Sequence, residues 1–197
     1  MEDPMKKILV INGHPDARPE RFCAALADAY SDGANALCHE VRRIKVAALN
    51  FPLIFSRDDF EKGPVPADIK RAQADIKWAD HIVIVHPLWL GGPPALLKGF
   101  LEQVFRYGFA LGKPGSDEGM GLLKGRTARV IVTMGMPSPV YRLVFGAFGV
   151  RAIERGILSI SGIGPIGRTL IGGIEALSDH QREEILEKVA RLGRSAS

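Results

Sequence analysis

Residues whose types and spacing could do chemistry gather in three short stretches, each following an apolar run. The first is INGHPDARPERF (11–22), in which His14, Arg18 and Arg21 are three potential donors to phosphate oxygens. Phe22 opens a helical pattern, and the positive end of a helix with its free amides favours an anion in front of it. No Ser or Thr lies between Asn12 and Phe22, so charge and backbone would have to hold the phosphate. The second stretch is HPLWLGGPPALLKGF (86–100). Pro87, Leu88, Trp89, Leu90 and Gly91 offer an apolar wall for a flat ring, and glycine where backbone must approach closely. The third is TMGMPSPVY (133–141). Thr133 can donate, Gly135 lets the backbone come near, Met134 and Met136 give soft apolar contacts, and the Tyr141 phenol can donate to a reduced ring or a substrate oxygen. A phosphate loop, a ring wall and a set of donors are the parts a flavin site requires. Each stretch alone has a plainer reading: a solvated basic rim, a core or interface aromatic, a structural tyrosine.

The elements that would position these stretches alternate along the chain. KKILVIN (6–12), HIVIVHPL (81–88) and TARVIVTMG (127–135) are apolar runs of the kind buried on both faces of a parallel sheet. CHEVRRIKV (38–46) and ILSISGIG (157–164) are expected to complete five strands. Phe22, Leu26, Ala29 and Tyr30 share a helical face, as do Ile69, Ala72, Ile76 and Ala79, and Leu97, Phe100, Leu101 and Val104. Pro93 and Pro94 fit the first turn of that third helix. Residues 50–66, with three prolines and a glycine, read as a long excursion, and GKPGSDEGMG (112–121) as a loop. Ser178 and Gln181 form a capping box for the last helix, with Glu184–Lys188 and Glu187–Arg191 as i, i+4 pairs. The expected fold is α/β, a flavodoxin-like three-layer sandwich with a five-stranded parallel sheet in order 2-1-3-4-5, spanning 1–197 as one domain. Its ligand crevice lies beyond the ends of the first, third and fourth strands, where the three stretches fall.

One motif points elsewhere. Gly162, Gly164 and Gly167 match G-x-G-x-x-G after an apolar run. A dinucleotide fingerprint should open a βαβ unit with an acidic residue about 20 residues on, at the end of a following strand. Asp179 and Glu183 fall at or in the last helix, so the glycines are read as a bend after the last strand.

Composition narrows the classes. The 197 residues are 46% hydrophobic and 24% charged, the balance of a globular chain with a sizeable core. The net charge of +4 is scattered, without a basic run interleaved with aromatics, so no nucleic-acid partner is expected. No long apolar run or leader is seen, so membrane insertion is not expected. Cys23 and Cys38 have neither metal-ligand spacing nor a disulfide framework, which fits a reducing cytoplasm.

PLWLGGPPALLKGFLEQVFRYGFA (87–110), KKILVINGHP and TMGMPSPVY together resemble the NAD(P)H:quinone oxidoreductases of flavodoxin-like fold, a group that includes flavin-binding ancillary proteins of potassium-efflux systems. The resemblance covers nearly the whole chain. It implies that His14, Arg21, Phe22 and Cys23 meet the cofactor phosphates. It places Pro87 through Gly91 along the ring and Thr133, Met134, Gly135 and Met136 at its carbonyl edge, with Tyr141 the catalytic residue beside flavin and substrate. Arg21 replaces the family's usual Ser, after two extra residues, and Ala147 and Phe148 stand where relatives often carry a His. The implied reaction is ping-pong: NAD(P)H gives a hydride to the flavin and leaves, then a quinone-like acceptor receives two electrons in the same place. By the same analogy the chain is a homodimer, with Phe105, Tyr107, Phe109 and Phe148 available at the interface. Arg18 and Arg21 would suit a terminal phosphate, which favours FMN over FAD. A regulatory subunit of a transporter and a one-electron carrier are the rival readings.

Overall fold

The structure is a computed structural model that describes residues 5–113, 115 and 119–197. The chain runs β1 (Lys7–Asn12), α1 (Phe22–Asn35), β2 (Glu40–Lys45), a 3₁₀ turn (Val46–Ala48), α2 (Arg57–Lys62), α3 (Ala67–Trp78), β3 (His81–Pro87) and α4 (Ala95–Val104). It continues with β4 (Thr127–Thr133), α5 (Ser138–Leu143), α6 (Phe148–Ile153), a π-helical turn (Glu154–Ser159), β5 (Ile166–Ile171) and α7 (Asp179–Arg194). All strands pair in parallel, in the order β2-β1-β3-β4-β5.

The apolar runs of β1, β3 and β4 are explained by two cores, one on each face. Leu9, Ile11, Ile82, Ile84, Val130 and Val132 pack with α3 and α4. Ile8, Val10, Val83, Val85 and Ile131 pack with Leu26 and Tyr30 of α1 and Val189 of α7. Alternation thus puts an apolar side chain on both faces, as a central parallel strand requires. At the β2 edge only Ile44 is buried, while Arg42 pairs with Asp75 at 2.8 Å and lies 4.1 Å from the Trp78 ring centre. Charged side chains on an edge strand discourage further pairing.

Four of the five expected strands and the capping box of α7 are present; the Ser178 side chain accepts from the Gln181 amide. Pro94 caps α4 from just outside its first turn, and the excursion carries α2. Within α7, Glu187 and Arg191 stand 3.8 Å apart, whereas Glu184 faces His180 at 3.5 Å. The stretch 112–121 lies partly outside the described residues; Gly112 donates to the Gly119 carbonyl at 2.8 Å.

The fifth strand is a correction. Residues 157–164 do not form it: Ile157 to Ser159 complete the π-helical turn, and β5 begins at Ile166. Leu158 and Ile163 turn into the core from successive turns, so the run is apolar by helical and turn spacing. The actual strand, IGRTLI, hides its character because its polar members are satisfied laterally. Arg168 pairs with Glu154, and Thr169 Oγ1 accepts from Arg129 at 2.9 Å. The G-x-G-x-x-G glycines therefore lie before and within the last strand instead of after it. No helix starts at them, which removes the geometry a dinucleotide fingerprint needs.

Candidate functional site

Register brings the site together. Asn12 is level with Val85 and Pro87 with Thr133, so the three loops leave neighbouring strand ends. Gly13 donates to the Val85 carbonyl at 2.8 Å, and Leu88 to the Thr133 carbonyl at 2.7 Å.

In the first loop the Asn12 Oδ1 accepts from the His14 amide, and His14 Nδ1 accepts from the Asp16 amide, both at 3.0 Å. That fixes the neutral tautomer with hydrogen on Nε2, and burial lowers the His14 pKa further below its ordinary value. The ring meets Trp89 edge-on, centroids 5.9 Å apart, joining the first loop to the second. Arg18 and Arg21 are both turned onto Asp16. The reading of the two arginines as free phosphate donors is corrected by this ion cluster. Among the described residues the amides of Phe22 and Cys23, at the start of α1, donate to no protein acceptor, as the first turn of a helix leaves them. Phe22 is half-buried under the Arg182 guanidinium, 5.1 Å away. The Cys23 side chain is buried, with Sγ 3.4 Å from Thr133 Oγ1, and burial pushes its thiol up to about 11. Cys23 thus reaches the site through its amide alone.

The second loop is a tight turn. Trp89 and Gly92 exchange backbone hydrogen bonds at 2.9 and 3.0 Å, with φ of 47° at Leu90 and 82° at Gly91. Two consecutive positive φ values define a type I′ turn, which glycine accepts without strain at its second position. Pro87 is buried and Leu88 half-buried, while Trp89 and Leu90 project outward. A Cβ at Gly91 or Gly92 would meet nothing within 4 Å, but one at Gly149 would lie 2.1 Å from the Gly91 carbonyl oxygen. The start of α6 is therefore seated directly on this turn.

In the third loop Thr133 and Met134 are buried, and the Met134 amide donates to Ile171 at 2.9 Å. Met134 packs into the core, so its expected ring contact is corrected, and the Thr133 hydroxyl is engaged with Cys23. Gly135 and Met136 remain at the surface of the crevice. Tyr141 is 1% exposed; its hydroxyl donates to the Gly91 carbonyl and accepts from the Val150 amide, both at 3.3 Å. Burial raises its pKa. The phenol that was expected to face the substrate instead ties the second loop to α6. Ala147 is buried with φ 51°, and Phe148 points outward. Of the aromatics expected at an interface, Phe105 and Phe109 belong to the core, and Tyr107 packs edge-on against Phe60 at 5.4 Å.

Three participants escaped the sequence reading. Asn12 and Asp16 shape the first loop; two acidic residues among its arginines were the available signal for Asp16. Glu175, in the turn before α7, reaches within 3.5 Å of the Gly135 Cβ position, and nothing local in the sequence marks it.

The donor set fits a flavin nucleotide. Among the described residues the amides of Leu90, Gly91, Gly135 and Met136 donate to no protein acceptor. Leu90 and Gly91 follow the outward Trp89, Gly135 and Met136 lie in the loop after the neighbouring strand β4, and the amides of Phe22 and Cys23 open α1 after the loop that leaves β1. A flat, carbonyl-edged ring and a phosphate are the groups such donors serve.

A family model described as flavodoxin-like fold matches residues 6–194. The chain belongs to this family. An NAD(P)H oxidoreductase of Haemophilus influenzae, named as uncharacterized, is 30% identical, the match covering 93% of this chain and 92% of the relative. The mouse ribosyldihydronicotinamide dehydrogenase [quinone] is 26% identical, with 94% and 90% covered. Among solved structures, the NAD(P)H:quinone oxidoreductase of Methanothermobacter marburgensis superposes with a TM-score of 0.80 at 22% identity, covering 98% of this chain and 97% of that one, a likeness of fold. Among the described residues no helix is long and apolar enough to cross a membrane.

Proposed function

We propose that this protein is a flavin-dependent NAD(P)H oxidoreductase that passes two electrons, by ping-pong hydride transfer, to a quinone or similar small acceptor. The carrying observation is that, among the described residues, Leu90, Gly91, Gly135 and Met136 have unpaired amides in the two loops that leave the paired ends of β3 and β4, next to the end of β1. The names of the similar oxidoreductases support the same reading. A bound flavin would supply the hydride-accepting ring.

The chain's own residues bind, orient and stabilise. The Phe22 and Cys23 amides and His14 Nε2–H hold phosphate. Pro87 to Gly91 wall one side of the ring. The four unpaired amides would stabilise the negative charge that grows on a bound flavin on reduction, as donors held in place before reaction do. Tyr141 acts as a positioning residue: by holding the Gly91 carbonyl to α6 it fixes the turn that carries two of those donors. The cofactor is FMN or FAD; Arg18 and Arg21, both bound to Asp16, do not favour FMN.

The second copy of a homodimer would sit on α5, α6 and the turn between them. Leu143 (74%), Val144 (73%) and Phe148 (72%) are exposed there beside Phe145 and Val140, a concentration of apolar surface expected at an interface.

Steady-state rates with NADH or NADPH varied against a benzoquinone test the reading. Parallel double-reciprocal lines, with turnover dependent on added flavin, are expected. Intersecting lines, or no turnover with flavin bound, contradict the ping-pong enzyme and favour a carrier or a regulatory subunit.

A further inference from the structure

The first loop contains its own anion. Asp16 Oδ1 accepts from the Arg18 amide and Nε, each at 3.1 Å. Its Oδ2 accepts from Arg18 Nη2 and Arg21 Nε, each at 2.7 Å, with Arg21 Nη2 at 2.5 Å. The Asp16 amide is meanwhile bound to His14 Nδ1, so the carboxylate is held from both ends of its residue. The Arg18 amide, more than any other partner, keeps that carboxyl below its usual range. Two acidic residues, Asp16 and Glu20, balance Arg18 and Arg21 between Asn12 and Phe22. The loop that looked basic is formally neutral.

We propose that Asp16 selects among flavin nucleotides, favouring the diphosphate of FAD and discriminating against the terminal phosphate of FMN. The inference rests on the flavin reading above. Asp16 takes Nε and Nη2 of both guanidiniums, so the donors for phosphate that are not shared with a carboxylate are the Phe22 and Cys23 amides, His14 Nε2–H and the helix end, worth about half a positive charge. A phosphate monoester concentrates about −1.5 to −2 charges on one phosphorus at pH 7. A diphosphate diester spreads its charge, one ionised oxygen per phosphorus. Amides and a partial helix charge match the more dilute anion. The concentrated one must compete with a carboxylate for the same two arginines, in the presence of a like charge. Discrimination by an unfavourable charge is a common route to specificity. Arg18 and Arg21 have 66% and 42% of their side chains exposed, so solvent screens the effect and a change of roughly tenfold is the expected scale.

The test measures dissociation constants of riboflavin, FMN and FAD by flavin fluorescence for the wild type, Asp16→Asn and Asp16→Ala. The wild type is expected to bind FAD more tightly than FMN. Both variants are expected to bind FMN roughly tenfold more tightly, with riboflavin unchanged, and the gain should shrink as salt is raised. Riboflavin has no phosphate, so a shift shared by all three ligands means that Asp16 only shapes the loop, which overturns the proposal. So does wild-type preference for FMN, or unchanged or weakened FMN binding in the variants. Failure of the wild type to bind any of the three overturns the flavin reading itself, and this proposal with it. Two variants are used so that a misfolded one leaves the other to decide.

Discussion

Tyr141 and the buried histidines show how much of this molecule is settled by single side chains. With its hydroxyl spanning the Gly91 carbonyl and the Val150 amide, Tyr141→Phe strands two polar groups in a buried place. It is expected to cost about 1–3 kcal/mol in urea unfolding and to weaken flavin binding while leaving turnover of the flavin-loaded enzyme near wild type. A large fall in turnover at full loading would restore Tyr141 as a proton donor. Burial pushes the pKa of both His81 and His86 down to about 4. Unfolded, each titrates near 6.5. Between these values the unfolded chain binds protons that the native one refuses, so stability falls as pH drops from about 6.5 to 4 and the loss is complete below. Each histidine accounts for at most about 3 kcal/mol of it. Urea titrations at pH 7, 5.5 and 4.5 should show His86→Gln losing correspondingly less than wild type; an identical decline refutes the assignment. At this scale His14 and Trp89 stood out in the sequence by type, and the structure brings their rings together. Asp16 did not stand out, because its two- and five-residue reaches to Arg18 and Arg21 depend on how the loop folds back.

Elements fix where those residues stand. The first, third and fourth strands could be read from their apolar runs because burial on both faces leaves no other composition. The fifth could not. IGRTLI keeps Arg168 and Thr169 on a half-buried strand only because Glu154 and Arg129, distant along the chain, satisfy them, while the apolar run at 157–163 divides its residues between a π-helical turn and the turn that follows it. The contact between α6 and the second loop was likewise invisible, since it depends on the missing side chain of Gly149. Gly149→Ala would place a methyl 2.1 Å from the rigid Gly91 carbonyl. It should weaken flavin binding more than tenfold and cost about 1–3 kcal/mol. Gly13→Ala, whose Cβ would meet the end of the Leu97 side chain at 2.6 Å, should be milder in both measurements because a side chain yields at less cost than the backbone carbonyl of Gly91. Equal effects of the two would show that the α6 contact does not set the turn.

The whole molecule joins a doubly wound sheet to an unusually apolar corner. Leu143, Val144 and Phe148 flank Tyr141 and Gly149, which touch the Leu90–Gly91 turn, so a second copy seated there would also border the crevice. Phe148→Asp with Leu143→Asp is expected to convert a dimer to a monomer in sedimentation experiments at unchanged helix content; a wild type that already sediments as a monomer contradicts the assembly. The central claim is that the three loops form one flavin site open to a hydride donor. The most direct test is the visible spectrum of the protein reconstituted with flavin, followed by anaerobic addition of NADPH. A bound flavin whose visible band bleaches is the predicted result. A protein that binds no flavin, or binds it and does not bleach with NADPH or NADH, contradicts the account.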